Sequence, residues 1–333
     1  MKRVNPFDEI YRQMNFVSAE EKIKNPIEYP RLLEIELARV CNFRCLMCPV
    51  GTGVIKRKPG YMTADLYERI LDDAAEHNMA LRFIQWGEPT LHKDWLKHMK
   101  QAKDKGVIVH FNTNGSMLNH ENMQSVIDYE IDSVKFSFQG VDAKSYMEMR
   151  NKDYFDEMLK KIKLLYSLRG DREKPYIHAS TTITYETPEQ VESFKKMLEP
   201  ITDKVSVGRT NFYRFDISSA DISEEERERF ERLKSAENLV KKRLNCCPEV
   251  YDKLSIHYDG KVSACCLDYD EVMVVGDLNR QSLKDIWNSP KLDLYRKELA
   301  KGNFGKFELC RSCYDSQETQ TPGVQKTTLN TGE

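Results

Sequence analysis

Six apolar, strand-length runs, each followed by a stretch with helical spacing, confine this chain to a parallel sheet covered by helices. The runs are Leu32–Ala38, Ala80–Trp86, Val107–Asn112, Ser133–Phe138, Tyr176–Thr184 and Lys204–Thr210. After the first, Thr63 is placed to cap a helix reaching Asn78, with Leu66, Ile70 and Leu71 on one face. Lys93–Lys105 is closed by Gly106, and later helices run through Val126 and Ile127, from Ala143, and from Tyr154 to Leu168. Pro188 opens the next at its favoured first turn. Parallel strands joined through helices need right-handed crossovers. The expected fold is therefore α/β, an open, partial (β/α)6 TIM-like barrel, with the loops after each strand facing the functional site.

The chain has 333 residues, enough for one large domain and a smaller one. Residues 1–30 read as a short extension with a helix from Phe7 to about Val17, and 31–215 as the barrel. Residues 216–244 read as a linker helix capped by Ser223. From 245 to 316 the pattern changes. Leu254–Tyr258 and Lys261–Ala264 flank Asp259-Gly260, a two-residue hairpin turn. A strand at Val272–Val275 and helices near Leu283–Trp287 and Leu292–Leu299 complete a small α+β domain. Residues 317–333 hold little apolar content and are expected to form a disordered tail.

Net charge is −2, which gives no global attraction to nucleic acid or anionic lipid. The basic runs at 56–58, 160–163 and 241–243 read as solvated faces. No apolar run approaches the roughly 20 residues of a membrane span, and the N-terminus lacks the apolar core of a secretory signal. A cytoplasmic location is expected, where thiols stay reduced. Nine cysteines then suit metal better than disulfides.

Three of them, Cys41, Cys45 and Cys48, share the loop after the first strand in the spacing CxxxCxxC. Thiolates this close ask for a soft metal, zinc or an Fe–S cluster. Zinc usually takes paired CxxC halves, whereas three cysteines with no fourth nearby fit a cubane with one iron open. This spacing resembles the signature of the radical S-adenosylmethionine (SAM) superfamily. The resemblance implies a SAM-binding [4Fe–4S] cluster at these cysteines and a 5′-deoxyadenosyl radical as the reactive species.

The resemblance extends to the later strand ends. Trp86-Gly87-Glu88-Pro89 stands where the family has a GGEP-like segment near the SAM amino group, with Gly87 allowing close backbone approach and Glu88 offering an acceptor to the ammonium. Asn112-Thr113-Asn114-Gly115 is similar to the family's TNG turn. Ser137 and Arg150 match positions that bind the SAM carboxylate or ribose. Met47 stands where an aromatic often packs on adenine. Gln139 replaces a frequent aspartate. Thr181, Thr182, Thr184, Arg209, Asn211 and Tyr213 are further candidate contacts, and Arg150, Arg209, Tyr213 and Asp216 are candidate bases.

Cys247, Gly260 and Cys265 match the CX9-15GX4C opening of the family's SPASM-type auxiliary domains, and Cys310 and Cys313 would complete four ligands. The implied cofactors are two [4Fe–4S] clusters, one SAM-binding and one auxiliary, plus SAM; four-thiolate zinc is the alternative for the second site. No cysteine follows Cys313, so a second auxiliary cluster is not expected. Cys246 and Cys266 are left over, as spare ligands, buried apolar groups or hydrogen-atom donors. Members with one auxiliary cluster include aminocyclitol dehydrogenases. The implied function is an oxidoreductase dehydrogenating a carbohydrate or aminocyclitol hydroxyl, reduced by a flavodoxin or ferredoxin, with no nucleic-acid or membrane partner. Radical epimerisation, peptide or protein modification and a non-catalytic Fe–S module are the alternatives.

Overall fold

In a computed structural model, residues 3–15, 17–212, 216–236, 240–243, 247, 249–311, 313 and 317–320 are described. Helices α1 (Pro6–Asn15) and α2 (Ala19–Lys24) precede β1 (Leu32–Ile35) and the cysteine loop. Then come α3 (Ala64–Glu76), β2 (Ala80–Phe83), α4 (Trp95–Asp104), β3 (Val109–Thr113), α5 (His120–Asp128) and β4 (Ser133–Ser137). After them follow α6 (Ala143–Arg150), α7 (Phe155–Arg169), β5 (Tyr176–Ile183), α8 (Pro188–Leu198), β6 (Lys204–Arg209) and α9 (Glu224–Ser235). The C-terminal part holds β7 (Val240–Arg243), β8 (Lys253–Ile256), β9 (Lys261–Ser263), β10 (Val274–Asp277), α10 (Leu283–Trp287), α11 (Pro290–Ala300), α12 (Glu308–Arg311) and β11 (Gln317–Gln320).

The local signals for these helices work as expected. Thr63, Thr187 and Ser223 each accept a backbone N–H at a helix start, and the last two form reciprocal capping boxes. The six strands β1 to β6 lie in sequence order and pair in parallel. Their helix-facing side chains, among them Leu33, Ile35, Leu81, Phe83, Val109, Phe111, Val134 and Phe136, form one apolar core with the helices.

One organisational expectation changes. The residues after 245 do not form a sheet of their own. β8 pairs in parallel with the free edge of β1, Glu34 opposite Ser255, and β9 and β10 continue antiparallel beyond it. The result is a nine-stranded mixed sheet, β10-β9-β8-β1-β2-β3-β4-β5-β6. An unpaired β1 edge would leave backbone groups without partners, and β8 satisfies them.

The ends of the chain also differ from expectation. The extension includes α2 besides α1, and Phe7 of α1 packs on Leu32 and Ala80 under the start of the sheet. Arg3 donates to the carbonyl oxygens of Gly170 and Arg172, and Lys22 bonds Asp252, so the extension straps the barrel floor from one side to the other. Residues 317–320, expected in a disordered tail, pair antiparallel with 240–243 as β11 on β7. Residues 321–333 lie outside the described residues. Among the described residues no helix is long and apolar enough to cross a membrane.

Candidate functional site

Cys41, Cys45 and Cys48 sit in the loop that leaves β1, over the C-terminal ends of the parallel strands. The loop is held tightly. A Cβ on Gly51 would come within 2.4 Å of the Cys45 backbone, so only glycine fits there. Leu46 is fully buried with Phe212, Phe230 and Leu233, the last two on α9. Asn151, at φ 52°, ends α6 and donates to the Arg44 carbonyl at 2.8 Å and to Glu226 of α9 at 2.7 Å. The helix expected to be only connective therefore clamps the cysteine loop.

The chemistry of the three sulfurs fits a metal. Burial pushes the Cys41 thiol up to about 12 and raises Cys48 as well, with Cys45 next in effect on both. Buried thiols crowded in this way stay protonated without a metal and ionise only when one is bound. Arg150 lies 3.5 Å from Cys45 Sγ through Nη1, and Phe43 N–H donates to Cys41 Sγ at 3.5 Å. Both favour charge on sulfur.

Around this loop the strand ends gather as the sequence implies, but several side chains do different work. Glu88 is 3% exposed, and its carboxylate accepts from Thr90 N–H and Oγ1, Thr113 Oγ1 and Asn114 N–H. In this way it bolts the β2 turn to the β3 turn, with Oε2 taking only the Asn114 N–H among the described residues. Gly87 is required for a related reason. A Cβ there would fall 1.9 Å from the Ala38 carbonyl oxygen, so the close approach is to the end of β1. Pro89 opens the short 3-10 turn that Glu88 caps.

Asn114 reaches the cluster loop, with Nδ2 3.0 Å from Asn42 Oδ1 and 3.8 Å from Cys41 Sγ. Ser137 contributes its carbonyl, which accepts from Arg150 Nη2. Burial opposes the charge on Arg150, but Cys45, Tyr146 and Cys41 together outweigh it and the net shift is upward. Met47 is half-buried between the main core and the α9 cluster. Gln139, Thr182 and Thr210 form a chain of hydrogen bonds at 2.6 Å each across the ends of β4, β5 and β6.

Among the described residues the candidate bases are not assembled. Arg209 pairs with Ile183, so it stands on the strand face opposite to Thr182 and Gly208. Asp216 is exposed and spends its carboxylate on Ser218. Tyr213 and Cys246 lie outside the described residues.

The second set of cysteines does come together. Cys247, Cys265, Cys310 and Cys313 line one pocket whose other walls include Val250, Leu267, Met273, Leu299 and Phe304. Gly260, at φ +93°, turns the hairpin that brings Cys265 back. Glu249 N–H donates to Cys247 Sγ and Leu267 N–H to Cys265 Sγ, both at 3.4 Å. With Phe43 on Cys41, three cysteines receive an N–H from two residues ahead, a turn that stabilises thiolates. Cys266 is half-buried and groups with Cys265 and Glu249 within 4.8 Å. Trp86, in place of the family's first glycine, packs edge-on against Tyr269 at 5.7 Å, joining the two sites. Sequence reasoning missed this contact because it is long-range.

A radical SAM superfamily match covers residues 35–198, and an iron–sulfur cluster-binding SPASM match covers 246–314. These matches give the chain a radical SAM region followed by a SPASM region. The chain is 28% identical over 173 residues to the tungsten-containing aldehyde ferredoxin oxidoreductase cofactor-modifying protein of Pyrococcus furiosus, covering 50% of this chain and 48% of that one. The chain spans about half the length of the curated relatives it matches first. Its fold is similar to BtrN in complex with AdoMet and 2-DOIA, at TM-score 0.56 and 17% identity over 85% of this chain and 92% of that one. It is also similar to Streptococcus suis SuiB bound to precursor peptide SuiA, at TM-score 0.65 and 16% identity over 93% and 76%. The cofactors of this radical SAM chain are thus SAM and its [4Fe–4S] cluster, together with auxiliary Fe–S.

Proposed function

We propose that this radical SAM enzyme is an oxidoreductase that dehydrogenates a hydroxyl of a small carbohydrate-like substrate. The observation that carries the reading is the four-cysteine pocket of Cys247, Cys265, Cys310 and Cys313, built on a strand that pairs directly with the one feeding the radical-generating loop. When bound, SAM and its cluster supply a 5′-deoxyadenosyl radical that takes a hydrogen atom from carbon, and the auxiliary cluster supplies an electron acceptor. The stoichiometry closes. The carbinol carbon gives one hydrogen atom to form 5′-deoxyadenosine, its hydroxyl gives a proton to a base, and the remaining electron leaves as the carbonyl forms.

The chain's own residues position these partners. Cys41, Cys45 and Cys48 hold the first cluster. Arg150 balances its charge and presents a guanidinium for the SAM carboxylate, while Asn114 and the backbone at Gly87 and Pro89 flank the same space. Met47 supplies an apolar wall for adenine, and Ser137 fixes Arg150 through its carbonyl. Glu88 acts at one remove, holding the Asn114 turn in place. The apolar wall of the second pocket keeps water from a bound cluster.

Anaerobic reconstitution tests this. The expected result is about eight irons per chain, 5′-deoxyadenosine upon reduction with SAM, and a carbonyl product in equal amount. Cys310→Ala should reduce iron to about four and abolish the oxidised product while SAM cleavage persists. Absence of 5′-deoxyadenosine in the unaltered enzyme overturns the catalytic reading. One observation favours a second outcome. Cys266 lies near Glu34, Lys253 and Arg82 on the open face of the sheet, placed to return a hydrogen atom to a substrate radical. Deuterium uptake at carbon from D2O, with no oxidised product and lost in Cys266→Ala, identifies epimerisation instead.

A further inference from the structure

The sheet face turned away from the helices is largely polar above Leu32 and Ala80, which meet Phe7 at its base. Along it stand Glu34, Arg82, His110, Lys135, His178 and Lys253: the register sets Glu34, Arg82 and His110 in one row, and Lys135 between Asn112 and His178 one step further along the strands. Most of their charges are matched. Glu34 lies 3.3 Å from Arg82 and 3.5 Å from Lys253, Lys253 lies 2.6 Å from Glu249, and Glu36 holds Arg57 at 2.6 Å. His110 bonds Asn112 at 2.7 Å and His178 bonds Ser206 at 2.8 Å. Burial keeps both imidazoles well below their usual range, with Arg82 next for His110 and Lys135 for His178, so neither adds charge.

Lys135 is the exception. It has no hydrogen bond or ion pair among the described residues, and the charges that bear on it, Arg82 and Lys204, are both positive. Enclosure first, and these cations second, push it down to about 7. Phe7 of α1 packs on His110 at 5.3 Å and closes the floor beneath. Lys135 is two residues before Ser137, whose carbonyl meets Arg150 beside Cys45. It therefore stands roughly 7 Å along the strand below the radical-generating loop. Lys135 is half-buried between Asn112 and His178, and a partly desolvated ammonium whose charged neighbours are cations is stabilised when an anion joins it.

We propose that Lys135, backed by Arg82, anchors an anionic group of the small-molecule substrate, a carboxylate or a phosphate, on the floor of the barrel below the radical source. The inference rests on the radical SAM reading of the barrel and not on whether the product is oxidised. It turns the substrate class from amino sugars towards acidic or phosphorylated ones, because an ammonium would meet Arg82, Lys135 and Lys204.

Equilibrium dialysis on the reconstituted holoenzyme with SAM tests it through binding, so failure of the dehydrogenase reading is seen separately, in the product. The probes are glucose, glucosamine, glucuronate and glucose 6-phosphate. At least one anionic probe should bind about ten- to a hundredfold tighter than glucose, the span of a charge-assisted hydrogen bond, with glucosamine weakest. Glucuronate leading identifies a carboxylate, and glucose 6-phosphate a phosphate. Lys135→Met should erase the preference and Lys135→Arg keep it. Iron content and a thermal midpoint no lower than that of the unaltered protein verify that Lys135→Met is folded, and Lys135→Gln serves in its place should it not fold. Equal binding of all four probes, binding of none, or an anion preference that survives loss of the lysine charge overturns the proposal.

Discussion

Glu36 shows how a buried charge is made tolerable, and it sets a pH dependence. Burial alone would raise its carboxyl, but the two hydrogen bonds from Arg57, at 2.6 and 2.9 Å, and the His257 ring hold it at about 2. The folded value lies below the ordinary carboxylate value, so the ion pair stabilises the fold above that ordinary value. This contribution is lost as pH falls towards 2 and is worth about 3 kcal/mol at most. Denaturation measured from pH 6 to pH 2 should show the unaltered protein losing most of that amount relative to Glu36→Gln. A constant gap between the two curves would mean that the Arg57 pair does not form. This residue was not legible as an anchor, because its partners lie far away in sequence. Glu88 was legible as special, but its bracing of two turns was not. Its motif gave the position, while its four hydrogen bonds depend on how the β2 and β3 turns meet.

At the scale of elements, cap chemistry is local and reads directly from the sequence, as at Thr63 and Ser223; the hairpin reads too, but its loop takes three residues, Tyr258 to Gly260, between His257 and Lys261, one more than the two expected. The pairing of β8 with β1 is not local. Lys253–Ile256 carries no signal that names its neighbour, and only the free edge of β1 explains the choice. Gly260 joins the two kinds of information. Its φ of +93° excludes an ordinary side chain, and a Cβ would sit 2.5 Å from Asn279 Nδ2. Gly260→Ala should therefore cost about 1–3 kcal/mol and shift the strand that carries Cys265. Iron analysis should then give about four irons per chain rather than about eight, with the loss confined to the second cluster. Full iron loading in Gly260→Ala would show that the hairpin does not position the ligand.

For the whole molecule, the decisive feature is that the radical SAM half and the SPASM half share one sheet. β1 sits between β2 and β8, and Glu34 at its centre bonds Arg82, Gln85, Ser255 and Lys253 from both sides. Separating the halves would expose the β1 edge and strand a carboxylate whose partners come from each. The sequence implied two modules in order, correctly, but composition cannot show that the boundary between them is a strand ladder. The two halves should consequently unfold together. Trp95 packs in the barrel core and Trp287 in the auxiliary part. Two variants, each keeping one of these as the only tryptophan, report each half by fluorescence in urea. Coincident midpoints and slopes are expected, as for one cooperative unit. Midpoints that separate would mean that β8 docks onto a barrel already stable without it, and that the second cluster site can form or fail independently of the first.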